Sequence, residues 1–529
     1  MKRTLLSFIA ILAFTFGSFA QFMDWDVQNS NLAGSRGLTD LHAVDDNIVW
    51  GAAYDGATPT NACVDVTMTT NGGTLWTART LGVTQISIAN LCAMDGNKCW
   101  AVCYYPSGSG TKDGIYYTSN GGSTWTQQTT AAFANSASFP NTVWFWDENN
   151  GYCMGDPISG DFEIYTTSNG GVTWTIVPAA NIPNPVSGEF GVVGYQSIVG
   201  NTVWFGTNKG RIYKSIDKGL NWTVAVCTPI NNKYIMPFFK DQNFGLVMDK
   251  DAATTGFLAM SSDGGTTWAA RNNIGNTFTN DMDYIPGTSS TWISTGADAT
   301  NGYAGVSYSF DDGLNWFDMA ETIGSQFLAT EWVDNETGWA GAFVDGTTMT
   351  GGMYKFNKTL VAPEPVFTAS DTAVALGDPV TFTEASTGDI TAWQWTFQGG
   401  TPATSNVQNP PAVVFSTPGA HDVTLKVTNA WGNKTLLKND YIYVGGVGMN
   451  ELAASAVTVY PNPVKDMVNV SSTYTIEEVT LVNIVGQVVY NQKADAKFVT
   501  LNGLNLKAGV YSMKVKTAEG TVNKKIVVN

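Results

Sequence analysis

An eight-residue pattern, Ser/Thr-x-Asp/Asn-x-Gly-x-x-Trp, recurs along the first two-thirds of the chain. Its copies run from Thr69 to Trp76, Thr118 to Trp125, Thr167 to Trp174, Ser215 to Trp222, Ser261 to Trp268 and Ser309 to Trp316, with starts 49, 49, 48, 46 and 48 residues apart. A fixed period of that size marks stacked or radial units, because one such unit cannot bury its apolar face alone. The third position (Asn71, Asn120, Asn169, Asp217, Asp263, Asp311) carries a short polar side chain that holds turn N–H groups. Glycine supplies positive φ, and the closing tryptophan (Trp76, Trp125, Trp174, Trp222, Trp268, Trp316) folds back as an apolar plug. These residues are read as structural, and no residue of the chain is assigned a catalytic role.

A second signal keeps the same period. An aromatic residue opens a short apolar strand at Trp50, Trp100, Tyr152, Trp204, Phe244, Trp292 and Trp339, one more time than the turn motif occurs. The mismatch resolves if the ring closes on itself. Met23–Val27 reads like the strand that follows a motif with no motif before it, and Gly352–Phe356 lacks a following tryptophan. Pairing the two completes a seventh unit and removes the free sheet edges that a radial array must avoid. With 55 glycines and only 13% charged residues, short strands and tight turns are expected rather than amphipathic helices. The expected fold is all-β: a seven-bladed β-propeller over 22–360, followed by two small Ig-like β-sandwich modules.

The turn motif resembles the BNR, or Asp-box, repeat superfamily, which includes sialidases, sortilin-type receptors, xyloglucanases and photosystem II assembly factors. That resemblance implies a propeller and leaves function open, since one fold hosts many activities. Asn71, Asn120 and Asn169 stand where the superfamily usually has Asp, and Asn makes the same turn.

Pro363-Glu364-Pro365 marks a break in texture, and 363–445 then shows alternating strands such as Val423–Thr428. Trp395-Thr396-Phe397, Gly400, Pro418-Gly419, Val423, Leu425, Val427, Asn429 and Gly432 resemble the PKD domain. Thr396 and Gly399 replace acidic residues usual in that family, so a spacer is the expectation rather than a cation-linked loop. A linker over 446–456 precedes Val459–Val464, Val485–Val489, Leu506–Tyr511 and Lys524–Val528. These four motifs resemble the type A C-terminal sorting domain of type IX secretion, over 457–529. The resemblance implies the type IX machinery as a partner, and an extracellular or outer-surface destination.

Lys2-Arg3, the apolar run Leu5–Phe16 and Gly17–Ala20 read as a signal peptide over 1–20, too short to span a bilayer. No later segment is apolar enough, so no transmembrane segment is expected in the mature chain. Residues 21–360 hold 14 basic against 31 acidic groups, which disfavours nucleic acid; residues 457–529 reverse the sign with 8 against 5. Two histidines and no close Cys-x-x-Cys support neither a metal site nor a cofactor. Cys63, Cys92, Cys99, Cys103, Cys153 and Cys227 all lie in the first region. Export permits disulfides, and six cysteines allow 15 full pairings among which the sequence does not choose; Cys92 and Cys99 flank a hairpin-like turn that would set them opposite each other, with buried free thiols as the alternative.

Three function classes remain. A sialidase needs three converging arginines, and only Arg36, Arg79, Arg211 and Arg271 follow the leader. A xyloglucanase-like glycoside hydrolase needs two carboxylates, for which Asp147, Glu148, Asp156, Glu189, Asp281, Asp283 and Glu331 are candidates. The third class is a secreted or cell-surface binding or adhesion protein for a polysaccharide or a surface protein, and it is the preferred reading. Its candidate ligand-binding residues are Tyr104, Tyr105, Asp156 and Asp161, in two insertions at the rim of blades two and three. Trp144, Trp146 and Trp332 belong to neither periodic signal, and their inner-strand setting points to core packing.

Overall fold

In the computed structural model each copy of the turn motif is a small hydrogen-bonded knot. The Thr69 hydroxyl donates to Asn71 Oδ1 at 2.9 Å and accepts the Gly73 N–H at 3.0 Å, while Asn71 Oδ1 also accepts the Leu75 N–H at 2.9 Å. Asp263 does the same with Thr267, whose N–H and hydroxyl it takes at 2.8 and 2.6 Å. These donors push the Asp263 carboxyl down to about 2, chiefly through the Thr267 side chain. The fifth position must be glycine for two reasons. Gly265 has φ +87, and a Cβ there would press on the rings of Trp204 and Trp268 at 3.3 Å.

That contact joins the two periodic signals. The tryptophan that opens the second strand of one blade lies under the turn motif of the next: Trp204 Nε1 donates to Gly264 O at 3.0 Å, and Trp100 Nε1 to Gly170 O at 3.4 Å. Within each blade the motif turn is also tied to the turn between first and second strands, as in Gly72 N–H to Asn47 O (3.0 Å) and Gly264 N–H to Asn243 O (2.7 Å). Asp45, Asp95, Asp147 and Asp241 cap those first turns through backbone N–H groups two and three residues on.

The structure describes residues 24–106, 111–133, 138–250, 257–348, 350–445, 456–484, 486–517 and 519–529. The signal peptide and most of the linker read at 446–456 lie outside them, as does part of the Tyr104–Gly110 insertion. The chain divides into two units at Leu360/Val361.

The first unit is a ring of seven four-stranded antiparallel blades; five stand as separate sheets, while blades seven and one join in one eight-stranded sheet through the Gly37↔Phe343 pair. Their innermost strands are Arg36–Ala43, Ser87–Ala93, Pro140–Phe145, Ser197–Val199, Ile235–Phe239, Asp281–Tyr284 and Phe327–Trp332. Blade seven is built from both ends of the unit: Trp25–Asn29 pairs antiparallel with Thr350–Phe356 in the register Trp25↔Phe356 to Asn29↔Gly352. Trp25 replaces a motif tryptophan, fully buried against Trp332 and Phe356 at ring distances of 5.9 and 5.2 Å. Where the other blades have a motif turn, Leu360 N–H donates to Asn335 O at 2.7 Å.

In the second unit, residues 367–445 form a sandwich whose inward residues Trp395, Phe397, Val423, Leu425 and Val427 alternate with outward polar ones. Asn429 ties the chain entry to the sandwich through Val361 O and Gly388 O. Residues 457–528 form a further β module around Val468, Val470, Val479, Leu481, Val515 and Ile526.

Trp25→Ala empties the seam where the ring closes, and is expected to cost about 3–5 kcal/mol of unfolding free energy. Urea unfolding followed by intrinsic fluorescence measures it; a loss under about 1 kcal/mol is incompatible with closure through this strand.

Candidate functional site

Neighbouring inner strands splay around an axial channel, and side chains bridge the seams between them. Asp40 Oδ2 accepts Leu91 N–H at 2.7 Å (blade one to two), and Asn90 Oδ1 accepts Val143 N–H at 2.9 Å (two to three). Gln196 Nε2 donates to Val143 O at 2.9 Å (four to three), and Ser197 Oγ accepts Phe239 N–H at 2.8 Å (four to five). Asp281 and Asp283 accept Thr330 and Trp332 N–H at 2.9 and 2.8 Å (six to seven), and Glu331 accepts Ala43 N–H (seven to one).

Residues 191–196, which lead into blade four, cross the channel. Gly191 N–H meets Asp156 Oδ1 at 3.2 Å, Gly194 N–H meets Asn141 O at 3.1 Å, and Tyr195 OH reaches across to Asn280 O at 2.6 Å. Gly194 has φ +81, and a Cβ there would strike Ala89 O at 2.7 Å, so the segment lies hard against blade two as well. Lys250 of blade five donates to the Tyr195 hydroxyl at 3.2 Å and stands over its ring. This crossing forms the floor of a cavity of about 240 Å³ that continues along the inner strands past Asp40, His42, Trp144, Phe238, Asp283, Tyr284 and Glu331 toward the first turns.

The cavity wall is enclosed by protein but not sealed from water, because its carboxylates keep part of their surface on the cavity. Burial pushes Asp281 up to about 7 and raises Asp40, Asp283 and Glu331, and the charges of Asp283, Asp281 and Asp40 raise Glu331 further. Burial pushes His42 down to about 4, so it is neutral at pH 7. Trp144 is half-buried: its ring meets His42 edge-on at 5.2 Å, and its Nε1–H has no hydrogen-bond partner.

Of the sequence candidates, Asp281, Asp283 and Glu331 come together in this cavity. Glu189 is instead buried against Arg211 and Thr207, Asp147 caps a turn, and Glu148 pairs with Lys98. Tyr104 packs on Phe139 at 5.0 Å and is largely buried, which pushes its hydroxyl up to about 12. Tyr105 OH accepts Lys112 N–H at 3.2 Å. Asp156 is held by Asn141 Nδ2 at 2.8 Å and supports the crossing segment, while Asp161 sits at a hairpin end opposite Ile158. Trp332 packs in the core as expected, and Trp146 Nε1 binds Gly200 O. Trp144 divides its surface between core and cavity.

Asp40, His42 and Tyr195 were not among the sequence candidates. Asp40 had a signal: it and Asn90 each stand ten residues before a periodic aromatic, Trp50 and Trp100. Tyr195 had none, since it lies outside both periods.

Residues 458–529 match the secretion system C-terminal sorting domain, and residues 366–439 match the PKD domain. The chain is cargo of type IX secretion. It is delivered to the cell surface or the extracellular space, and among the described residues no helix is long and apolar enough to cross a membrane. No curated protein matches the chain. Among solved structures, YCF48 from Cyanidioschyzon merolae is similar at 15% identity and a TM-score of 0.45, covering 63% of this chain and 98% of its own. A GH74 xyloglucanase from Xanthomonas campestris is similar at 10% identity and a TM-score of 0.38, covering 94% and 87%.

All six cysteines are free and buried. Cys92 and Cys99 are not directly opposed, because the register sets Ala93 against Cys99 and Cys92 against Trp100. Burial raises all six thiols. A thiol reagent such as Ellman's is therefore expected to label none in the native protein and six after denaturation, and a dithiol reductant to leave the melting temperature unchanged.

Proposed function

We propose that this chain is an exported recognition protein, with the propeller as its ligand-reading part and the PKD domain as a spacer. The axial cavity is the binding place, and the ligand class is a sugar at the end or branch of a polysaccharide or glycoprotein. The observation that carries this reading is the pairing of Trp144 with the carboxylate wall. A half-buried aromatic face and carboxylate oxygens line one cavity, and a hydroxyl-rich ring can stack on the first and donate to the second. The size agrees: an apolar cavity of about 150 Å³ takes a benzene, so about 240 Å³ suits one pyranose ring and not a length of polymer.

The rim residues rank second. Tyr105 and Asp156 already hold internal partners, and Asp156 braces the floor of the cavity. Glycan-array binding by the mature chain is expected to weaken about tenfold or more on Trp144→Ala, roughly 1.4 kcal/mol, and less on Trp144→Phe, which keeps a stacking face. Tyr105→Ala is expected to leave it unchanged. The reverse pattern moves the site to the rim formed by Tyr104, Tyr105, Asp156 and Asp161.

One observation favours a hydrolase as the second reading: Asp283 and Glu331 face one cavity, and the charge of Asp283 opposes the ionisation of Glu331. Against it, both carboxylates already hold an N–H of a neighbouring blade. Incubation with xyloglucan is expected to release no reducing ends. Release that Glu331→Gln abolishes would establish the hydrolase instead.

A further inference from the structure

The staples between inner strands are not distributed evenly. Between inner strands on the seams two–three, three–four and four–five they are uncharged, Asn90, Gln196 and Ser197; Asp156, which holds Gly191 N–H, stands on the second strand of blade three. On the three consecutive seams six–seven, seven–one and one–two they are carboxylates: Asp281 and Asp283, Glu331, and Asp40. These are the seams that flank blade seven on both sides and reach one blade beyond. Blade seven is also the blade assembled from the two ends of the propeller chain.

We infer that the propeller carries a pH-sensitive clasp: the carboxylate staples around blade seven hold it tightly in mild acid and loosen it as the pH rises, while the uncharged seams do not respond. This goes beyond the binding reading and does not depend on it.

The groups that face one another explain the sign. Blade one contributes Asp40 and His42, the crossing segment Tyr195, blade five Lys250, blade six Asp281, Asp283 and Tyr284, and blade seven Glu331. Lys250 alone is cationic among them, turned toward Tyr195, and His42 is neutral above about pH 4. Ionising all four carboxylates therefore places four negative charges in one cavity against one positive charge. Each carboxyl can accept its N–H through the carbonyl oxygen when protonated, so acid removes the repulsion without breaking the staple.

The folded-state affinities for protons are raised, Asp281 to about 7. A raised group contributes stability that is whole below its unfolded value, near 4, and is lost as the pH climbs through its folded value. The window is therefore about pH 4 to about pH 7 and above. Because the same side chains form the cavity wall, loosening these seams also loosens the cavity.

Hydrogen–deuterium exchange of the full mature chain, read by peptide mass spectrometry at pH 5 and pH 8 and corrected for intrinsic exchange chemistry, tests this. Peptides covering 25–29 and 327–332 are expected to lose about tenfold or more of their protection at pH 8, the factor that one pH unit of displaced titration represents. Peptides covering 140–145 and 235–239 serve as internal controls and are expected to stay level. Glu331→Gln and Asp283→Asn keep an oxygen acceptor without the charge and are expected to flatten the difference. Equal pH dependence in both peptide sets, or a dependence that survives in a folded Glu331→Gln chain, overturns the clasp. If the variants do not fold, the wild-type comparison alone decides. No ligand enters the measurement, so failure of the clasp and failure of the binding reading are separate outcomes.

Discussion

Blades arranged around an axis pair chiefly within themselves, with the Gly37↔Phe343 pair joining blades one and seven, so the ends of the propeller chain must be held together by the ladder of one blade. That ladder is formed by Trp25–Asn29 against Thr350–Phe356. Everything else in the propeller depends on that pairing. It satisfies two edges at once, and it makes the integrity of the ring a property of residues more than 300 positions apart.

Seam chemistry follows from the same geometry. Inner strands lie too far apart at the axis to share a ladder but close enough for one side chain to span, so polar residues there are drawn into structural service. This explains why Asp281, Asp283 and Glu331, which look catalytic as isolated carboxylates, are each occupied by a backbone N–H of the next blade. It also explains their raised proton affinity, because spanning the seam encloses them in protein. The cost of holding acids there is offset by the fixed donor each receives.

Binding capacity is what remains after the staples are counted. The crossing segment at 191–196 turns an open channel into a floored cavity, and the residue that gives it an aromatic face is Trp144. Export supplies the context: a sorting domain of the secretion-system type carries the propeller to the cell surface or beyond.

The repeat, the number of blades, the return of the first strand onto Gly352–Phe356 and the two C-terminal modules are legible in the amino-acid order alone. Each rests on local chemistry: a turn that needs a short acceptor and a left-handed glycine is legible wherever it occurs. Strict alternation marks Val423–Thr428 as a strand for the same reason. Only the tertiary structure decided what the channel residues do. Asp40 meets Leu91 about one period further along, a spacing that does not say which atoms meet, and Tyr195 meets Asn280 across the axis, where no period in the chain relates the partners. Trp144 shows the same limit: its inner-strand position is legible, but whether its second face meets a neighbour or a cavity depends on a segment 50 residues further along that happens to cross the axis there.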